Sequence, residues 1–381
     1  MKSKYITSLD RVPGLSRAER RALGSVADRF EFRASDYYLS LIDWNDPDDP
    51  LRRIVIPSLE ELEPWGRLDP SSEETFQVVP GVQHKYTSTA LLLASDTCGG
   101  LCRFCFRKRL FIRRRGEVNL DVGPGLDYIR RHREVNNVLI TGGDALMIPT
   151  PRLAGIIEGL RRIDHVRIIR LGSKLPAYNP WRIIGDPDLI DLIRRFSDPR
   201  NRIYVMVHFN HWREITDEAV RALALLQGAG AILCNQTPLI RGVNDDPLTL
   251  ARLLNELSFA GVPPYYVFQC RPTVGNRAFA VPVEEAYRIF DAARVHCSGL
   301  AKRARFCMSH AEGKIEVVGL SDDHVFFKFH RAAAVEDSAR FMVFERNPNA
   351  YWFDDYDEMV AENALDLPAG PDRRDHPGWI S

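Results

Sequence analysis

The chain reads as an α/β protein built around a parallel sheet, because short β-branched or apolar runs alternate with amphipathic helical stretches and each run ends in a polar turn. Six runs carry the alternation: TALLLAS (89–95), NNVLITG (136–142), VRIIRLG (166–172), RIYVMVHF (202–209), AILCNQ (231–236) and YYVFQ (265–269). Helical periodicity marks 151–163, 186–196, 216–230, 246–257 and 283–294 between and after them. Such a series can close as a barrel or stay open as a doubly wound sheet. Either way function gathers at the carboxyl ends of the strands.

Those ends are polar. They read Ser95-Asp96, Thr141-Gly142-Gly143-Asp144, Gly172-Ser173-Lys174, His208-Phe209-Asn210-His211, Asn235-Gln236-Thr237 and Gln269-Cys270-Arg271. One polar turn is ordinary loop chemistry, whereas six at the same end of successive strands point to a lined cavity. Around this core (85–300), residues 1–84 read as an N-terminal helical extension, including SRAERRALGSVADRF with Ser16 as its N-cap. Residues 301–335 read as added strands (ARFCMSH, IEVVGL, HVFFKFH). Residues 336–381, ending DLPAGPDRRDHPGWIS, read as a surface tail.

The 51 basic side chains balance 51 acidic ones, so no global charge argues for nucleic acid or a membrane surface. The N-terminus MKSKYITSLDRVPG lacks an apolar signal, and no apolar run reaches membrane length, so a cytoplasmic location is expected. The seven cysteines are odd in number and some are too closely spaced for a secreted disulfide framework. They read as reduced thiols.

Just past the first strand, Cys98-Gly-Gly-Leu-Cys102-Arg-Phe-Cys105 gives a C-x3-C-x2-C spacing. Three thiolates on one loop can hold three irons of a cubane and leave a fourth open to a small molecule. A structural zinc site would need a fourth ligand, and no second Cys or Cys/His pair accompanies this loop.

This loop at the first strand end resembles the radical S-adenosylmethionine superfamily. Along residues 20–330 the chain is similar to the lysine 2,3-aminomutase family, through YYLSLIDWNDPDDPLRRIVIPS, PGVQHKY, CRFCFRKRLF, ITGGDAL, VRIIRLGSKLP, VHFNHWREIT, CNQTPLIRGVND and PYYVFQC. The resemblance implies a partial (β/α)6 barrel, a [4Fe–4S] cluster on Cys98, Cys102 and Cys105, S-adenosylmethionine and pyridoxal 5'-phosphate. It also implies an amino-acid substrate, a reduced flavodoxin or ferredoxin-type electron donor, and migration of the amino group from C2 to C3. Homo-oligomerisation is compatible with it. By the same resemblance Phe104 packs on adenine, Gly142, Gly143 and Asp144 bind the methionyl ammonium, and His208 reaches toward the adenosyl group. Arg107 binds the substrate carboxylate and Lys314 carries pyridoxal phosphate.

Several positions depart from the family. Where lysine-specific members hold the substrate ammonium with two aspartates, this chain has Arg271 and Cys307, so an acidic amino acid such as glutamate is expected in place of lysine. The HRYPDR segment that helps hold the cofactor phosphate reads HKYTST, keeping Lys85 but replacing the second arginine with Thr89. The phosphate-holding segment thus keeps one of its two cations. A radical enzyme with that site repurposed, a lysine or lysyl mutase, and an iron–sulfur sensor are the competing readings.

Overall fold

The computed structural model describes residues 3–112 and 117–363; the expected tail sequence from 364 onward lies outside the described residues. Thirteen strands form one mixed sheet whose spatial order follows the chain. They are β1 Gln77–Val79, β2 Val82–Tyr86, β3 Thr89–Ser95, β4 Asn137–Gly142, β5 Ile168–Ser173, β6 Ile203–Val207 and β7 Ile232–Leu239, followed by β8 Pro264–Gln269, β9 Arg305–Ser309, β10 Gly313–Leu320, β11 His324–Ala332, β12 Phe341–Glu345 and β13 Met359–Asn363. Strands β3 to β9 are parallel, and the flanking pairs are antiparallel. All six expected runs form strands. ARFCMS adds a seventh parallel strand, because a helix separates it from β8 and a crossover returns the chain in the same direction. Part of the segment read as tail forms β12 and β13.

Six helices make the crossovers: α1 Gly123–Arg131, α2 Thr150–Arg161, α3 Pro187–Phe196, α4 Asp217–Gly228, α5 Pro247–Phe259 and α6 Val283–Val295. The α3, α4 and α5 starts are written in sequence. Asp186, Thr216 and Asp246 each accept the backbone N–H three residues on. Only α1 lacked a strong signal, since its glycines and proline lower helix propensity. Leu189 and Ile193 of α3, and Leu250, Leu254 and Leu257 of α5, pack into one core with Val138, Ile140, Ile169, Leu171 and Val205 of the sheet.

The N-terminal extension makes a second core over the strand ends. Ser16 caps Arg17–Ala22 as expected, with Glu19 closing a capping box, and the helix then breaks at Leu23 before Gly24–Arg29. Leu39, Leu51, Ile54 and Val55 of the extension pack with Phe104, Tyr178, Ile240 and Phe279, which follow β3, β5, β7 and β8. Backbone bonds from Leu101 N–H to Arg33 O (2.8 Å) and Arg103 N–H to Ile54 O (2.9 Å) fasten the cysteine loop to it. Across the sheet, Ser71 Oγ donates to Ser309 O and Arg331 reaches Ser88 and Thr89, so β2 and β3 face β9 to β11 over a shared interior. No helix among the described residues is long and apolar enough to cross a membrane.

Arg103 is 2% exposed and pairs with fully buried Glu61 through two bonds of 2.8 and 2.9 Å. Glu61→Ala would leave that guanidinium buried and unpaired, at a cost of about 3–5 kcal/mol. Glu60, half-exposed and 3.5 Å from Arg53, serves as the control. Urea denaturation should show a large drop in midpoint for Glu61→Ala and a change of under about 1 kcal/mol for Glu60→Ala; equal effects would refute the anchoring role.

Candidate active site

The carboxyl ends of the parallel strands open on a cavity of about 330 Å³. Cys98, Phe104, Cys102, Cys105, Arg107, Gly142, Gly143, Asp144, His208, Arg271, Lys85 and Lys314 all line it, although they come from segments up to 229 residues apart (85 to 314). The three loop cysteines are free thiols. Cys105 N–H donates to Cys102 O at 3.1 Å, which tightens the loop, and the Tyr178 hydroxyl lies 3.0 Å from Cys102 Sγ. Burial holds the Cys102 thiol up to about 12 and raises Cys98 and Cys105 as well; a bound cation reverses that preference.

Beside this loop the end of β4 crosses the end of β3 at backbone contact. Gly142 has φ +112°, and a Cβ there would lie 2.3 Å from Ser95 O; a Cβ on Gly143 would lie 2.4 Å from Thr97 O. The space a side chain would fill is used for two bonds, Gly143 N–H to Ser95 O (2.6 Å) and Asp144 N–H to Thr97 O (2.9 Å). The Asp144 carboxylate accepts the N–H groups of Leu146 (2.9 Å) and Lys174 (2.7 Å), while burial lifts its pKa to about 6. His208 stands opposite, its ring centroid 6.4 Å from that of Phe104. Its buried Nε2 has no hydrogen-bond partner among the described residues, and burial with Lys174 nearby lowers its pKa to about 3, so the ring is neutral.

The other end of the cavity is strongly basic. Seven Lys and Arg side chains line the cavity as a whole against two carboxylates, Glu73 and Asp144. Lys314 has its Nζ 4.4 and 4.6 Å from the ring centroids of Tyr266 and Phe268, and burial lowers its pKa to about 7. The preceding Gly313 lets β10 press against β11, where a Cβ would meet Arg331 O at 2.3 Å. Lys85 donates to His310 O and is likewise lowered to about 7 by burial. Arg107 places Nε and Nη2 on the two Glu73 oxygens at 3.0 Å each, and its Nη1 donates to Thr141 Oγ1 at 3.2 Å. Arg271 lies over the Phe106 ring at 3.6 Å with Nη1 3.7 Å from Glu73.

Cys307 is fully buried in β9 and is not among the residues that line the cavity. Packed between β8 and β10, it pairs in register with Phe268 and Glu316, and the Phe268 and Lys314 side chains reach the cavity instead. Arg271 is not a free cation, since Glu73 stands between it and Arg107. Glu73, Arg170, Lys174, Tyr178 and Arg331 also line the cavity and were not singled out, because each sits in a segment with no chemical spacing of its own. Only the Gly172-Ser173-Lys174 strand end carried a signal that could have found one of them.

No protein-family model matches the chain. It is 54% identical over 362 residues to the "Putative L-lysine 2,3-aminomutase" of Aquifex aeolicus (strain VF5), covering 95% of this chain and 97% of that protein. It is 38% identical to the L-lysine 2,3-aminomutase of Clostridium subterminale over 75% of this chain and 68% of the relative. With the glutamate 2,3-aminomutase of Clostridioides difficile (strain 630) it shares 32% over 78% and 69%. A cysteine loop, a glycine crossing and a buried lysine on one cavity therefore come with similarity along most of the chain, and the protein belongs to the lysine 2,3-aminomutase family, whose named members are isomerases.

Proposed function

We propose that this enzyme is a radical S-adenosylmethionine 2,3-aminomutase that uses pyridoxal phosphate and acts on an acidic amino acid, with glutamate the simplest case. The observation that carries the reading is the convergence of the cysteine loop, the Gly142–Asp144 crossing and Lys314 on one cavity. Cys98, Cys102 and Cys105 would hold the cluster. Gly142, Gly143 and Asp144 would take the methionyl ammonium, with Phe104 and the neutral His208 beside the adenosyl group. Lys314, without a charged partner in bonding range among the described residues, has the amine chemistry to hold a carbonyl cofactor, and Lys85 a phosphate. When bound, the cluster supplies an electron that opens S-adenosylmethionine to radical chemistry, and pyridoxal phosphate supplies the group on which nitrogen migrates. The chain's own part is to orient the partners and keep water away; Glu73 holds Arg107 in plane, ready for the substrate carboxylate. The facing of β2 and β3 toward β9 to β11 supports a sheet curled as a partial barrel. We assign the electron donor to the flavodoxin or ferredoxin type and the location to the cytoplasm, where free thiols persist.

The substrate reading rests on charge. A lysine ammonium in this cavity would need a free carboxylate, yet Glu73 is shared by Arg107, Arg109 and Arg271, and Asp144 stands at the cysteine-loop end, where it would meet the methionyl ammonium. An anionic side chain meets the surplus of basic groups instead.

Replacing Cys98, Cys102 and Cys105 with alanine should abolish iron charge-transfer absorbance in anaerobically reconstituted protein and 5'-deoxyadenosine formation after reduction. One zinc per chain with no iron in the wild type would overturn the cluster assignment.

Borohydride should trap pyridoxal phosphate on Lys314 in the wild type and not in Lys314→Ala, which should keep some reductive cleavage of S-adenosylmethionine. Because the neutral amine reacts, trapping should rise as pH increases through about 7, well below the usual lysine value of 10.5. Peptide mapping that finds the label elsewhere would remove Lys314 from this role.

Wild-type enzyme should turn over glutamate or aspartate in preference to lysine. Arg271→Asp should lower activity on the acidic substrate by about two orders of magnitude or more, as loss of a buried charge partner requires. Faster formation of β-lysine than of a β-amino diacid by the wild type would refute the charge argument.

A further inference from the structure

We propose that Arg331, on β11, supplies the phosphate-binding guanidinium that the segment around Thr89 lacks. This rests on the reading of Lys314 as the pyridoxal lysine. Sequence comparison with the family leaves a gap: Lys85 is kept, but a threonine stands where a second arginine is expected. The structure fills that gap from a strand more than 240 residues away. Arg331 Nη2 lies 2.9 Å from Thr89 Oγ1 and 2.9 Å from Ser88 Oγ, so the guanidinium occupies the place an arginine at 89 would start from.

Three further observations tie that guanidinium to the cofactor end of the cavity. Lys314 and Arg331 are register partners on neighbouring antiparallel strands, so their side chains leave the sheet on the same face. Both line the cavity. Lys85 and Arg331 flank one ring, with Nζ 5.5 Å and Cζ 4.3 Å from the Tyr86 centroid. Arg331 has hydroxyl partners but no carboxylate in bonding range among the described residues, in contrast to Arg107, Arg109 and Arg103. A guanidinium fixed by hydroxyls on one edge, with full charge and unused donors on the other, is suited to a phosphate dianion. The small Thr89 is then part of the device. It vacates the volume and anchors the arginine that enters it, whereas arginines at both positions would repel.

The test compares pyridoxal phosphate with pyridoxal, which lacks the phosphate, on the full-length reconstituted protein. Binding is read by fluorescence quenching and by the borohydride-trapped fraction at Lys314. Arg331→Ala should weaken pyridoxal phosphate by about 10- to 100-fold, the worth of one charge-assisted contact, and leave pyridoxal within about twofold. Thr89→Arg in the Arg331→Ala background should recover much of the loss. Because the ratio of the two affinities does not depend on the folded fraction, Arg331→Gln and Arg331→Lys give the same reading if the alanine variant is poorly folded; Gln should lose phosphate preference and Lys should retain part of it. Equal weakening of both ligands, or unchanged preference in the variants, would overturn the proposal while leaving Lys314 in place. Absence of any trapped adduct in the wild type would overturn the underlying pyridoxal reading, and this inference with it.

Discussion

Burying Arg107, Arg109 and Arg271 side by side is possible because Glu73 sits among them. An unpaired guanidinium withdrawn from water costs several kcal/mol, and three in contact would repel as well. The three guanidiniums hold the Glu73 carboxyl far below the usual range, so it stays ionised despite its burial. Arg109 is further neutralised by Glu117 at 2.9 Å and Asp69 at 3.6 Å. What remains is a pair, Arg107 and Arg271, sharing one carboxylate with a net positive charge toward the cavity. On the proposed reading that charge would be the anion site, kept without leaving the pocket unable to fold.

The same segment that carries Glu73 explains why the N-terminal extension is integral to the site. Glu61, Arg33 and Ile54 grip the cysteine loop from outside, while Glu73 reaches the arginines from inside. The loop itself has two glycines, and its position is set by these external bonds together with the packing of Leu101, Arg103 and Phe104. A further network, Lys174 to Glu214 (2.6 Å) and Asn210 (2.7 Å) with Tyr38 donating to Glu214 (2.7 Å), fixes the β5 and β6 ends to the extension. Binding groups on loops become precise when a rigid layer locks them in this way.

These relations also explain what could be read from the chain. The parallel strands, their capped helices and the cysteine loop depend on contiguous spacing, and contiguous spacing is visible in a sequence. Gly142 and Gly143 were visible as a motif, but the reason only glycine fits them, a backbone crossing with Ser95 and Thr97, is a tertiary fact. Glu73 and Arg331 were invisible because each is an ordinary charged residue whose partners lie 34 and 242 positions away. Cys307, seven residues before Lys314, lies across a hairpin from it, and facing the same side of a sheet does not guarantee reaching past the larger side chains beside it.

Family membership and substrate are therefore decided on different scales. Membership follows from similarity along most of the chain, and that similarity extends to relatives named for lysine and for glutamate alike, at 38% and 32% identity. A difference of that size reflects the whole scaffold and cannot distinguish substrates that differ in the charge of one side chain. On the proposed reading the discrimination lies with a few cavity groups, and there the balance is lopsided: the basic residues outnumber the carboxylates, Glu73 is held by three arginines, and Asp144 is committed to the cysteine-loop end. Placing lysine there would set a cation beside Arg271 with Glu73 already shared three ways. An anionic side chain instead relieves the repulsion that Arg107 and Arg271 retain, so the charge that makes the empty pocket costly to build is also what would select the molecule that enters it.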